Sequence, residues 1–175
     1  MTTPASTRHL VLVGLMGAGK STVGAACAER LHRPLLDTDH LVETAAGRSV
    51  REIFDAEGEA GFRALERDAV ERAADGDPAV IACGGGVAVD PANRAVLRDR
   101  GFVVWLDAPV DALADRASRA PGVRPLLAVG DPVATLERLA DERHDAYAGI
   151  AHVRIDTADR SVAAVTDLVL EAFGA

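Results

Sequence analysis

Cysteine is scarce in this chain of 175 residues, with only Cys27 and Cys83 present. Two isolated thiols in apolar surroundings make neither a disulfide framework nor a zinc ligand set, and they are expected to be buried and inert. Positive charge is also in short supply. The formal net charge is −8, which argues against nucleic acid or an anionic membrane as a partner. It leaves small anionic substrates open, because these respond to local charge. No apolar run approaches the length of a membrane span. The stretch Met1 to Thr7 is short and polar and has no apolar signal core. No internal repeat or low-complexity tract stands out. The expectation is a soluble, cytoplasmic protein of one domain, residues 1–175, large enough for a sizeable core.

Against these absences stands one complete motif. Residues 14–21 read Gly-Leu-Met-Gly-Ala-Gly-Lys-Ser, the G-x-x-x-x-G-K-[ST] phosphate-binding pattern. The apolar run Leu10-Val11-Leu12-Val13 precedes it, and a helical stretch ending near Leu31 follows. This strand–loop–helix setting is what the motif requires. The glycines let backbone N–H groups turn inward around a polyphosphate, and Gly17 and Ala18 keep the loop small enough to close on the phosphates. Lys20 neutralises the terminal phosphates, and the Ser21 hydroxyl can reach Mg²⁺. The helix adds its positive dipole end to the same anion site. The motif predicts binding of a nucleoside triphosphate.

Elsewhere, strand-like runs alternate with helical patterns. Leu10 to Val13, Pro34 to Leu36, Ala79 to Ala82, Phe102 to Leu106 and His152 to Ile155 are short, mostly apolar and bounded by turn residues, as strands buried on both faces should be. Asp90-Pro91 and Asp131-Pro132 each read as an N-cap followed by proline at the first helical position. After Asp131, Val133, Leu136 and Leu139 recur at helical spacing. Ser161 caps a last helix whose buried face should include Val165, Leu168 and Val169. The alternation predicts an α/β fold, a five-stranded parallel sheet covered on both faces. Residues 37–78 do not fit simple alternation. They carry helical patterns and form an insertion of the kind that builds a substrate site at the ligand-facing edge of such a sheet. Ser118 to Gly130, with two prolines, two glycines and two arginines, reads as a mobile loop.

Several residues near these loops are suited to chemistry. Asp37 and Asp39 close the second strand as Asp-Thr-Asp. If the segment is extended, their side chains share a face. One could then hold Mg²⁺ through water while the other meets a substrate hydroxyl; the alternative is a pair of turn or N-cap aspartates. Gly84-Gly85-Gly86 follows the third strand. Three glycines expose backbone N–H groups and permit positive φ, so that a ligand can approach the main chain. Arg63 lies three residues before Glu66, which is either an ordinary surface ion pair or an arginine held ready to fork onto a substrate carboxylate. Arg143, in Asp-Glu-Arg-His-Asp, reads by itself as a solvated helix residue. Arg124, in Val-Arg-Pro-Leu-Leu, can swing from its loop toward a transferred phosphoryl group. Arg116 and Arg119 flank it and make the loop locally basic.

In order along the chain, Gly14-Leu-Met-Gly-Ala-Gly-Lys-Ser-Thr, Asp37-Thr-Asp, Ile53-Phe-Asp-Ala-Glu-Gly-Glu-Ala-Gly-Phe-Arg, Gly84-Gly-Gly, Arg124-Pro-Leu-Leu and Arg143 with Tyr147 four residues later resemble the shikimate kinase family. The match covers about His9 to Phe173. The resemblance implies a P-loop, nucleoside-monophosphate-kinase-like three-layer fold with sheet order 2-3-1-4-5. It implies transfer of the ATP γ-phosphate to the 3-hydroxyl of shikimate, in the pathway to chorismate and aromatic amino acids, with ATP and Mg²⁺ as cofactors and a monomer as the default. Carried onto this chain, Gly17, Ala18, Gly19, Lys20, Ser21 and Thr22 resemble the ATP phosphate loop. Ser21 and Asp37 resemble the metal site, and Asp39 the residue that meets the shikimate hydroxyl. Arg63 and Arg143 resemble a carboxylate clamp, with Gly84, Gly85 and Gly86 at the sugar-like ring. Arg124 resembles a lid arginine, with the lid at about 118–130 and the shikimate-binding segment at about 37–74. Arg116 and Arg160 are similar to positions near the adenine, and Val162 falls where some members have proline. The rivals are a kinase for gluconate or a nucleoside monophosphate and, in a different class, a nucleotide-dependent switch without small-molecule chemistry.

Overall fold

The computed structural model describes residues 7–119 and 130–175. Five strands form one parallel sheet: β1 (His9–Val13), β2 (Leu35–Asp37), β3 (Val80–Ala82), β4 (Gly101–Asp107) and β5 (Val153–Asp156). Their spatial order is β2-β3-β1-β4-β5, the order the resemblance implies. Each begins and ends within about one residue of the apolar run that predicts it, since boundaries are the least determined part of such an element. At the centre Val11 is in register with Ile81 of β3 and Val103 of β4. All three are fully buried, as a strand covered on both faces requires.

The connections are helical: α1 (Lys20–Leu31), α2 (Thr38–Ala46), α3 (Val50–Asp75), α4 (Pro91–Arg100), α5 (Val110–Arg119), α6 (Pro132–Ile150) and α7 (Val162–Phe173). The crossover from β1 to β2 runs one way across the sheet, and those from β3 to β4 and β4 to β5 run the other. Right-handed crossovers therefore put the helices on opposite faces. Accordingly α1 packs with α7, while α4 packs with α3 and α6. The reversal beside β1 is a topological switch point, where ligands bind at the carboxyl ends of the strands.

Helix starts follow their local chemistry. Asp90, Asp131 and Ser161 accept from the backbone N–H groups of Ala92, Val133 and Ala164. Ser49 and Glu52 form a reciprocal capping box at α3. In α6 the stripe of Leu136 and Leu139 is buried, but Val133, in the first turn, is exposed. In α7 Val165 and Val169 are buried and Leu168 is half-buried. The α3 span is bent at Gly58, whose φ of 70° and ψ of −173° are non-helical and essentially restricted to glycine. Residues 118–119 end α5 rather than opening a loop. Residues 120–129, Arg124 among them, lie outside the described residues.

Two apolar clusters result. The large one surrounds the sheet. The small one joins α2 to α3 through Val42, Ile53, Phe62 and Ala69, beside a hydrogen bond from the Val50 N–H of α3 to Glu43 of α2 at 2.9 Å. Ile53→Ala should therefore lower the unfolding free energy in urea by about 2–5 kcal/mol, the range for emptying a fully buried aliphatic site. A loss well below 1 kcal/mol would show that this cluster does not hold the insertion together.

Candidate active site

The loop between β1 and α1 is positioned by close backbone contact. Gly17 has a φ of +83°, and a Cβ there would stand 2.5 Å from the Leu113 carbonyl oxygen of α5. Only glycine satisfies both conditions. Helices α2, α3, α4, α6 and α7 each receive a side-chain cap, but α1 has none and has no acidic residue in its first turn. Its N-terminal N–H groups and dipole are thus left for an anion. Lys20 Nζ bonds the Gly14 and Leu15 carbonyls, each at 2.8 Å. Lys20 is the chain's only lysine, against 19 lysines and arginines together. That signal was available in the sequence and marks this position as one where a compact ammonium is wanted in place of a guanidinium.

Asp37 does two jobs with two oxygens. Oδ1 caps α2 by accepting from the Asp39 and His40 N–H groups, and Oδ2 accepts from the Ser21 hydroxyl at 2.9 Å. The cap reading and the metal reading of this residue therefore coexist. Asp37-Thr-Asp is not extended throughout, since α2 begins at Thr38. Asp39 enters the cleft from the first helical turn, because the Asp37 cap starts the helix immediately. Thr38 is fully buried, and its hydroxyl accepts from the Gly84 N–H at 2.8 Å. This bond ties the insertion to the glycine loop.

That loop does not use positive φ at any of its three glycines, contrary to expectation. The requirement is steric. A Cβ at Gly84 would stand 2.5 Å from Asp39 Oδ1, and one at Gly85 would stand 3.0 Å from Arg143 Nη1. One at Gly86 would stand 2.3 Å from both terminal nitrogens of Arg63. Three charged side chains are packed against bare backbone.

The arginines are not surface residues. Arg143 is 5% exposed, so its reading as a solvated helix position is overturned: α6 turns it inward on the same face as Tyr147. Arg63 Nη1 bonds Glu66 Oε2 at 2.7 Å, and Glu66 is 1% exposed. The pair is largely desolvated, so the surface-pair reading fails as well. The other Glu66 oxygen, Oε1, has no partner among the described residues. Burial pushes the Glu66 carboxyl above its ordinary value, against the pull of Arg63. Asp39 is likewise raised, first by burial and then by the charge of Asp37, with Lys20 opposing.

Lys20, Asp37, Asp39, Arg63, Glu66 and Arg143 line one cleft of about 610 Å³. It holds Gly17, Ala18, Gly19, Lys20, Ser21 and Thr22 on one side, and Asp39, Arg63, Gly84, Gly85, Gly86 and Arg143 on the other, with Asp37 between them. Arg116 and Arg160 line it too, with Val162 and Val165. Arg116 is held by two bonds to Thr157, one to the hydroxyl at 2.9 Å and one to the carbonyl at 2.8 Å. Thr157 gave no sign of this in the sequence. Phe54 and Phe62 supply an apolar wall, with ring centroids 4.7 Å apart. Arg119 pairs with Asp115 on the exposed side of α5 and does not line the cleft. Cys27 and Cys83 are buried, and burial pushes the Cys27 thiol up to about 11 and Cys83 further still. Both are inert at neutral pH.

A phosphate loop and a carboxylate-and-arginine pocket sharing one cleft on a five-stranded parallel sheet define a P-loop kinase of small molecules. The shikimate kinase family model matches residues 16–173. A shikimate kinase from Symbiobacterium thermophilum is 53% identical over 165 residues, covering 93% of this chain and 94% of that one. The solved shikimate kinase from Acinetobacter baumannii, in complex with shikimate, superposes with a TM-score of 0.91 at 37% identity, covering 95% of this chain and 93% of that one. The chain belongs to the shikimate kinase family. A gluconokinase from Sinorhizobium meliloti, with a TM-score of 0.63 and 21% identity, covering 96% and 93%, shares the fold.

The raised Asp39 carboxyl gives a signed prediction. A folded value above the unfolded one means that its stabilising contribution is complete below the ordinary carboxylate value, about 4, and is lost as pH rises through the folded value. Asp39→Asn should therefore melt higher than the wild type at pH 7, with the gap closing toward pH 4. In the role that its resemblance to the family position implies, acting on the acceptor hydroxyl, loss of Asp39 should also slow turnover at least about 10²-fold. A variant less stable at pH 7 than the wild type would contradict this electrostatic reading.

Proposed function

We propose that the cleft transfers the γ-phosphate of ATP to the 3-hydroxyl of shikimate, giving shikimate 3-phosphate and ADP. The observation that carries this reading is the convergence of Arg63 and Arg143 on the Gly84–Gly86 backbone beside Asp39, across the cleft from the phosphate loop. Two guanidinium groups suit a small carboxylate held in one orientation. Asp39 orients the acceptor hydroxyl toward the phosphate and is placed to take its proton. Phosphoryl transfer needs alignment and charge neutralisation more than covalent participation.

On the donor side, Gly17 to Thr22 wrap the β- and γ-phosphates. Lys20 leaves the Gly14 and Leu15 carbonyls to meet them. Ser21 and Asp37 lie side by side and fit Mg²⁺, a hard ion that takes few protein oxygens and completes its shell with phosphate and water. When bound, it neutralises charge on the phosphate oxygens. Arg116 and Arg160 flank the base, over the apolar floor of Val162 and Val165. Arg124 is assigned the lid role through its likeness to the family pattern, in a lid that follows α5. Closure of such a segment excludes water that would otherwise hydrolyse ATP. We take the enzyme to work as one domain, residues 1–175, and as a cytoplasmic monomer on a small-molecule acceptor, with no part for nucleic acid or membrane. The net charge of −8 supports that last point.

A coupled ADP-release assay with shikimate, gluconate and nucleoside monophosphates tests the reading. Shikimate should be preferred by at least about 10²-fold in kcat/KM, since buried polar groups reject acceptors that leave them unpaired. Lys20→Ala should lose well over tenfold in turnover, a barrier change of about 1.4 kcal/mol per decade. Arg63→Ala and Arg143→Ala should each cost about 2–5 kcal/mol of shikimate binding and leave ATP affinity in its absence nearly unchanged. Equal losses for both ligands would assign these arginines to the nucleotide or to the scaffold.

A further inference from the structure

Every polar group of the glycine loop can be followed to a partner, with two exceptions. The Gly84 N–H goes to Thr38, the Gly84 carbonyl to the Val87 N–H, and the Gly86 carbonyl to the Val89 N–H. The Gly85 carbonyl accepts from the Tyr147 hydroxyl at 2.5 Å. The N–H groups of Gly85 and Gly86 have no partner among the described residues. Gly86 is buried, and a buried unmatched N–H is rare unless a ligand or water meets it.

We propose that Tyr147 is a positioning residue for acceptor binding: its hydroxyl holds the Gly85 carbonyl away from the cleft and so keeps the Gly86 N–H as a donor to the bound acceptor. The inference rests on the reading that shikimate binds at this loop. Its physical core is the planar trans peptide between Gly85 and Gly86, in which the carbonyl and the N–H point in opposite directions. Fixing one fixes the other. A Gly–Gly peptide has no Cβ on either side and rotates easily, so the loop that makes room for Arg63 and Arg143 is also prone to flip. A flipped peptide would present a carbonyl oxygen to an anionic substrate where donors are needed.

Tyr147 is built for this task. It is 2% exposed and packs on Trp105, with centroids 5.6 Å apart. It lies one helical turn after Arg143, so α6 presents guanidinium and hydroxyl together to Gly85. Tyr147 does not line the reaction cleft, so it acts from behind the loop. Burial pushes its hydroxyl up to about 12, against the pull of the Arg143 charge, so it stays protonated and able to donate across the working pH range.

Steady-state kinetics of Tyr147→Phe test the proposal. The KM for shikimate should rise about five- to twentyfold, the effect of losing one buried hydrogen bond. The KM for ATP at saturating shikimate should change by less than about twofold, and kcat by less than about threefold. Trp105→Phe loosens the packing of the same ring and keeps the hydroxyl; it should lower the Tm and leave the KM for shikimate nearly unchanged. An unchanged KM in Tyr147→Phe, with an active wild type, overturns the positioning role and leaves the function standing. Parallel rises for both substrates with a fallen Tm show a scaffold residue and overturn it as well. A wild type inactive on shikimate removes both readings. Because Tyr147 is the only tyrosine, 3-fluorotyrosine labelling supplies one ¹⁹F reporter in the intact enzyme, which decides the matter if the phenylalanine variant does not fold. Its resonance should move when shikimate saturates the site, and a resonance that stays fixed contradicts the proposal.

Discussion

Three consecutive residues without a Cβ are the constraint on which the meeting of Asp39, Arg63 and Arg143 depends. Asp39 arrives from α2, Arg63 from α3 and Arg143 from α6, and each comes within van der Waals distance of the space a side chain at Gly84, Gly85 or Gly86 would fill. The elements cannot retreat to make room. Helix α2 is fixed by the Asp37 cap and by Thr38 bonded to the loop. Arg63 is held by buried Glu66, and Arg143 lies on the inward face of α6 beside Tyr147. The packed core behind them is close to incompressible, so the bare backbone sets where the charges meet.

Those charges are then balanced within a small volume. Asp37, Asp39 and Glu66 face Lys20, Arg63 and Arg143 around one cleft. Taking such groups out of water is costly, and it is tolerated where opposite charges and hydrogen bonds compensate. The compensation is incomplete without a ligand. Asp39 and Glu66 are both shifted toward the neutral form, and Glu66 keeps an unmatched oxygen. The α1 N-terminus is uncapped in the same sense, because its donors have no side chain to meet them. In the proposed function the phosphates of ATP meet the free donors of α1. Local unfavourable arrangement at a functional site, stabilised by the rest of the fold, is the expected pattern.

Much of this was legible in the sequence, for identifiable reasons. Strands buried on both faces have to be short apolar runs, and β1, β3 and β4 are such runs, while the edge strands β2 and β5 are partly exposed. Caps at Asp90, Asp131 and Ser161 depend on local chemistry alone. The phosphate loop is local too, and its Lys20, as the only lysine, carried a second signal that composition already held. The less legible parts are those that tertiary structure decides. Asp37-Thr38-Asp39 could be read as strand or as cap, and the answer depended on where α2 began. The glycine loop needed space, not positive φ, and space is visible only once α2, α3 and α6 are placed. Arg143 was indistinguishable from a solvated helix residue until α6 was oriented, and Thr157 has no local feature that foretells its hold on Arg116.

The absence of a side chain at this loop lets Asp39, Arg63 and Arg143, the charges proposed to bind the acceptor, converge. Calorimetric titration of Gly86→Ala with shikimate, and separately with ADP, tests it most directly. The added methyl group would occupy the space now taken by the Arg63 guanidinium, while the phosphate loop is untouched. Shikimate affinity should fall by more than about tenfold, or 1.4 kcal/mol, with ADP affinity within about twofold of the wild type. Unchanged shikimate affinity in a folded Gly86→Ala protein would contradict the account.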